Sequence, residues 1–136
     1  MLLLMTASAL GAEMPTEVSG PATVGDGDTL TVGRTEVRLF GIDAPEMSSG
    51  HGHFARAELE DLISGQEVRC KVRDRDRYDR LVAVCRTDRV PDLAAALLAA
   101  GEAITYRKFL KGASEEAAYI AAEGLARSRG VGLWAR

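Results

Sequence analysis

The sequence predicts a small α+β domain in which three helices pack on a five-stranded antiparallel sheet. Three observations carry that expectation: a meander of short β-like runs before residue 43, one amphipathic helical stretch, and a charged hairpin followed by two further helical stretches. The 136 residues are 46% apolar, 27% charged and 5% aromatic, which suits one domain with one core. No window approaches the ~18 consecutive apolar residues of a membrane-spanning helix, so no transmembrane segment is expected.

Residues 1–12, MLLLMTASALGA, are uncharged and run from Leu and Met into small residues, with Ala7-Ser8-Ala9 and Ala9-Leu10-Gly11 as cleavage candidates. Lacking a basic start, they read as a truncated secretory signal; the plainer alternative is a frayed N-terminus. Residues 13–21 are polar, hold two of the four prolines and read as a flexible arm, which leaves the domain to 22–136. Strands are expected at 22–25, 29–32 and 35–42, with Gly33-Arg34 as a tight turn. Ala55, Leu59, Leu62 and Ile63 then fall on one face of a helix that Gly65 closes.

Residues 67–73 and 80–87 form the hairpin, joined by a charged loop. Symmetry about Arg77 and Tyr78 sets Cys70 opposite Cys85, on the face of Val68, Val72 and Ala83. In an exported chain that pair makes a cross-strand disulfide; in a cytosolic one it makes two packed thiols. A helix of Ala and Leu follows at 92–100. The last helix is expected to be capped by Ser114, with Ala118, Ala121, Ala122 and Leu125 as its apolar stripe and Leu133-Trp134 pinning the C-terminus.

Charge is segregated along the chain. The net charge of −3 argues against nucleic-acid binding through bulk attraction. Residues 13–66, however, hold three basic and ten acidic side chains, whereas 69–89 hold eight basic and four acidic. Such a division suits a metal meeting a phosphate, or simply a solvated acidic face beside a charged hairpin. Within these stretches lie three short elements: Asp26-Gly27-Asp28-Thr29, then Arg38 followed by Asp43-Ala44-Pro45-Glu46, then Asp76-Arg77-Tyr78-Asp79-Arg80. Alone, the first is a turn signature.

Together, in this order and spacing, they resemble the staphylococcal nuclease (thermonuclease) family over residues 22–134. The resemblance implies a five-stranded OB-fold barrel with three helices. It implies that Asp28, Asp43 and the carbonyl of Ala44 bind Ca²⁺, with Asp26 behind them. It further implies that Glu46 holds the attacking water, that Arg38 and Arg80 bind the scissile phosphate, and that Tyr78 and Tyr106 contact the nucleotide. Ca²⁺ is a hard ion that takes six to eight oxygens, which such a set plus water and phosphate can supply. The only histidines, His51 and His53, read as surface residues of a Gly-rich loop.

Three departures from the family pattern carry expectations. Asp79 stands where glycine is common and is placed to pair with Arg77 or Arg80, weakening phosphate binding. The loop at 47–53 is short, and the acidic net charge points to a modest enzyme. The leading reading is a secreted or periplasmic Ca²⁺-dependent endonuclease on DNA and RNA, preferring single strands and acting as a monomer without an obligate protein partner. Against it stand a non-catalytic OB module that binds nucleic acid or protein, and a structural envelope-associated domain.

Overall fold

A computed structural model describes residues 14–136; the expected signal segment lies outside the described residues. Strands β1 (Glu17–Gly20), β2 (Ala22–Val24), β3 (Thr29–Val32), β4 (Thr35–Leu39) and β5 (Ile42–Asp43) precede helix α1 (Gly52–Ile63). Strands β6 (Val68–Arg75) and β7 (Leu81–Arg86), helix α2 (Leu93–Ala99), strand β8 (Ile104–Thr105), helices α3 (Arg107–Leu110) and α4 (Glu116–Arg129), and a 3₁₀ turn at Gly132–Trp134 complete the chain. The α+β class is as expected, but the counts differ. Among the described residues one sheet has six strands in the order β1-β6-β7-β4-β3-β2, a separate ladder joins β5 to β8, and four α-helices are present. Nor is the sheet wholly antiparallel, because β4 and β7 pair in parallel.

The additional outer strand comes from the stretch expected to be an arm: β1 pairs with β6, with Val18 opposite Cys70. The strand expected over 35–42 is broken in two by Gly41, whose φ of 81° is one that residues with a Cβ rarely adopt. A side chain there would also meet Leu110 Cδ1 at 2.8 Å. Gly27 is required for a different reason, since an added Cβ would lie 2.6 Å from that of Ala55 on α1. The turn between β2 and β3 can therefore lie directly against the helix.

The core runs from Leu30, Val37 and Leu39 in the sheet to Leu59 of α1 and to Leu93, Leu97 and Leu98 of α2. Ala55, Leu59 and Ile63 bury as the helical spacing predicts. The hairpin keeps the expected register from Arg69↔Arg86 to Val72↔Ala83, then shifts by one residue at a bulge around Arg73. Cys70 and Cys85 are opposite, buried and joined in a disulfide.

Helix α4 departs most from expectation. Glu115, not Ser114, takes the N-cap position, and no side chain caps the helix. Its buried face is Tyr119, Glu123 and Ala126, while Ala118, Ala121 and Leu125 face outward and Ala122 is half-buried. Alanine buries little area, so two polar side chains with fixed partners decide the rotation. Tyr119 OH donates to both oxygens of Asp92, at 3.0 and 2.8 Å, and Asp92 in turn accepts the Ala95 N–H as cap of α2. Burial pushes the Asp92 carboxyl above its ordinary range, against the pull of these donors.

Glu123 accepts the Thr105 N–H at 2.8 Å, the Thr105 hydroxyl at 3.0 Å and an Arg107 N–H at 3.3 Å. Burial would raise its pKa, but these hydrogen bonds and the Arg107 charge outweigh it and hold the carboxyl below its ordinary 4.5. The C-terminal turn closes the fold, with the Leu133 N–H donating to Gly101 O at 2.8 Å and the Arg127 guanidinium 4.9 Å from the centre of the Trp134 ring.

Two outcomes are expected. Intact mass of the non-reduced protein should be two hydrogens below that of the reduced form, and reduction should cost about 3 kcal/mol or somewhat less by loop closure. Two free thiols in native protein would contradict the pairing. Glu123 has a folded pKa below its unfolded one, so its contribution is full above the ordinary value and is lost as pH falls through the folded one. Glu123→Gln should cost about 1–3 kcal/mol near neutrality, with the gap to the parent protein closing in acid. Denaturation curves showing the same gap at every pH would exclude this role.

Candidate active site

Strand β3 pairs with β4 so that Thr29 lies opposite Arg38, which brings the neighbouring Asp28 to the guanidinium. Asp28 is buried and held on three sides: Thr29 Oγ1 donates to its Oδ1 at 3.1 Å, the Ala44 N–H to its Oδ2 at 2.8 Å, and its carbonyl accepts the Leu39 N–H at 2.9 Å. The break at Gly41 places two carbonyls against Arg38, which donates through NH1 to Leu39 O at 3.0 Å and Ile42 O at 2.9 Å. The same guanidinium lies 3.5 Å from Asp28 Oδ2 and 3.5 Å from Asp43 Oδ1. At that length these are ion pairs rather than good hydrogen bonds. Asp43 differs from Asp28 in exposure, its side chain being 55% open to solvent.

The hairpin tip is built by Asp76. Its Oδ1 accepts the backbone N–H groups of Tyr78 (2.9 Å) and Arg80 (3.0 Å), and its Oδ2 accepts Arg80 Nε at 2.8 Å. Burial alone would raise the Asp76 pKa, but these donors hold it below the ordinary carboxylate range. Tyr78 projects from the tip, 65% exposed, with the Arg77 and Arg80 guanidiniums 5.1 and 5.4 Å from its ring centre. Asp79 adopts φ 66°, the left-handed conformation that explains glycine's preference at this place. Contrary to expectation, Asp79 pairs with Arg75 at 2.8 Å, and it is Asp76 that engages Arg80.

Arg38, Tyr78, Arg80 and Tyr106 come together along one open groove of about 560 Å³ between the hairpin and α3. Asp26, Asp28, Asp43, Ala44 and Glu46 lie outside its lining, and Arg38 is the link between groove and acids. Glu46 is exposed and opens a turn, its carbonyl accepting the Ser49 N–H at 2.9 Å and hydroxyl at 2.8 Å. Asp26 is half-buried, with its carbonyl accepting the Thr29 N–H at 3.2 Å. His53 is exposed as expected, whereas His51 is half-buried, its Nε2 2.9 Å from Glu102 Oε2.

Among the described residues no three His, Cys, Asp or Glu side chains gather to hold an ion. The oxygens near Arg38 are those of two carboxylates and of the Leu39 and Ile42 carbonyls. Asp76, which opens the hairpin motif without an assigned role, and Lys108 and Phe109, which lie outside the motifs, also line the groove. Their signals were present: an Asp opening the hairpin loop, and the alternation Tyr106-Arg107-Lys108-Phe109, in which aromatic residues flank cations.

A family model described as staphylococcal nuclease homologue matches residues 36–136, beginning after the Asp26-Gly27-Asp28-Thr29 turn. The uncharacterized endonuclease of Haemophilus influenzae is 33% identical over 117 residues, 82% of this chain and 63% of that protein. The probable endonuclease LCL3 of Podospora anserina is 36% identical over 117 residues, 72% of this chain and 41% of that protein. The succinoglycan biosynthesis protein ExoI of Rhizobium meliloti is 32% identical over 143 aligned positions, 97% of this chain and 71% of that protein. The matched part is thus less than two thirds of the length of the first two. Because the family model covers most of its length, this chain belongs to the staphylococcal nuclease family, and its α+β architecture is that family's OB fold.

Proposed function

We propose that this chain is an exported Ca²⁺-dependent endonuclease that hydrolyses phosphodiester bonds in DNA and RNA and prefers single strands. The observation that carries the reading is Arg38, which faces a groove of cations and exposed aromatics while pairing with two carboxylates. Two similar proteins bear the word endonuclease in their names, which supports the same chemistry. The disulfide suits an oxidising compartment, and among the described residues no helix is long and apolar enough to cross a membrane. We take the active form to be a monomer.

The donor set fits Ca²⁺. Asp28 Oδ2 and Asp43 Oδ1 each lie 3.5 Å from the Arg38 guanidinium, on NH1 and NH2, and carboxylates are the hard oxygen donors that this ion prefers. Asp28, Asp43 and the Ala44 carbonyl would hold the ion, with Asp26 supporting the turn. When bound, Ca²⁺ would neutralise charge on the phosphate and polarise it toward attack. Glu46, exposed to solvent three residues beyond Asp43, orients the attacking water and accepts its proton. Arg38 and Arg80 hold phosphate oxygens through planar forks that stay charged at any working pH. Arg38 keeps donors for this, since its hydrogen bonds among the described residues use only NH1. Tyr78 and Tyr106 offer ring surfaces to a splayed strand, whereas neither wall is a long helix suited to a major groove.

Release of acid-soluble nucleotide tests the reading. Denatured DNA should be degraded in Ca²⁺ and spared in excess chelator, and duplex DNA at equal salt should be cut more slowly. Full turnover in chelator, or faster cutting of stable duplex, would contradict it. Among the described residues no hydrogen bond or ion pair uses the Glu46 carboxylate, so Glu46→Gln should keep the parent melting temperature and lose most hydrolysis, by about 10²-fold or more. Equal activity in an equally stable variant would remove Glu46 from the chemistry.

A further inference from the structure

The turn after Glu46 holds an ion pair that the reading above leaves without a role. Among the described residues no hydrogen bond or ion pair engages the Glu46 carboxylate, so its backbone alone sets where it stands. That backbone is tightly folded. Glu46 O accepts the Ser49 N–H and hydroxyl, Ser49 O accepts the Gly52 N–H at 3.2 Å, and Gly52 lies so close to Glu46 O that a Cβ there has no room. Glu46 and the first residue of α1 therefore move as one unit. His51 joins them, its carbonyl accepting the Phe54 and Ala55 N–H groups at 3.1 and 3.2 Å and its ring packing on Phe54 with centroids 5.3 Å apart.

Glu102 ties this unit to a distant part of the chain. Its Oε2 lies 2.9 Å from His51 Nε2, 51 residues away in sequence, and its side chain is only 12% open to solvent. It stands on a fixed base, since its N–H donates to Leu97 O at 2.9 Å and the preceding Gly101 packs against the Val131 carbonyl. It also faces Glu58 of α1, whose carboxyl is held above its ordinary 4.5 by burial and then by the Glu102 and Asp61 charges. A largely enclosed carboxylate with acidic neighbours needs a donor, and the His51 ring supplies it. Two residues beyond Glu102, Ile104 pairs with Asp43. We propose that His51 and Glu102 are positioning residues, which fix the turn carrying Glu46 relative to the strand carrying Asp43. The proposal rests on Glu46 orienting the attacking water, and both residues act through it without touching the substrate.

Steady-state hydrolysis of denatured DNA in saturating Ca²⁺ tests this, well below the melting temperature of each variant. His51→Ala and Glu102→Ala should each lower kcat about tenfold or more and leave KM within about twofold, because the groove cations still bind the strand while the water is misplaced. Changing either partner gives the same test, so a variant of one that fails to fold leaves the other. The deciding measurement repeats both substitutions in the Glu46→Gln background. There each should lower the residual kcat by less than about twofold, since a residue that acts through Glu46 has nothing left to act on. Unchanged kcat in His51→Ala and Glu102→Ala would overturn the positioning role while leaving a working nuclease. The same fold loss with and without the Glu46 carboxylate would overturn it too, because the pair would then serve the fold at large. A parent protein that leaves denatured DNA intact in Ca²⁺ would overturn the proposed function and this role with it.

Discussion

One guanidinium, that of Arg38, faces two carboxylates and two backbone carbonyls at once, and the rest of the site is arranged around it. Removing such a charge from water is costly unless partners replace the hydration shell, which the Leu39 and Ile42 carbonyls and the two acids do. The balance is uneven, because two negative groups meet one positive group. A partly buried site with a surplus negative charge, its donors all oxygen, favours a hard cation, and the basic hairpin on the other side favours an anion. The sequence's division of charge thus becomes a spatial division across one side chain.

The geometry at Arg38 is fixed from both sides. Asp28 is aimed by the Ala44 N–H, so the turn between β2 and β3 and the end of β5 cannot move independently. β5 itself is only two residues long and depends on β8, with Asp43 opposite Ile104 and Ile42 opposite Thr105. β8 in turn is held by Glu123 from α4. A buried acid far along the sequence therefore sets where Asp43 can stand. The disulfide braces the inner half of the β6 and β7 hairpin, whose far end carries Tyr78 and Arg80.

Much of this is legible in the amino-acid sequence. Alternation and turn residues placed Cys70 opposite Cys85, helical spacing identified the buried face of α1, and the three acidic and basic elements drew attention to Asp28, Arg38, Asp43 and Arg80. Positions set by long-range partners were not legible. No local signal turns Tyr119 and Glu123 inward past a row of alanines, because Asp92 and Thr105 lie 27 and 18 residues away. The bulge at Arg73 shifts the hairpin tip by one residue, which no periodicity predicts. At the tip, Asp76 outcompetes Asp79 for Arg80 because its carboxylate also receives two backbone N–H groups.

Calorimetric titration of Ca²⁺ tests the central claim, that the acids around Arg38 share a cation with the substrate phosphate. The titration is made in the Glu46→Gln background, so that an added single-stranded oligonucleotide stays intact. Weak binding is expected without oligonucleotide and tighter binding with it, since the phosphate supplies oxygens that two carboxylates cannot. Asp43→Asn should weaken both. Ca²⁺ affinity that is indifferent to the oligonucleotide, or unchanged by Asp43→Asn, would contradict the shared site.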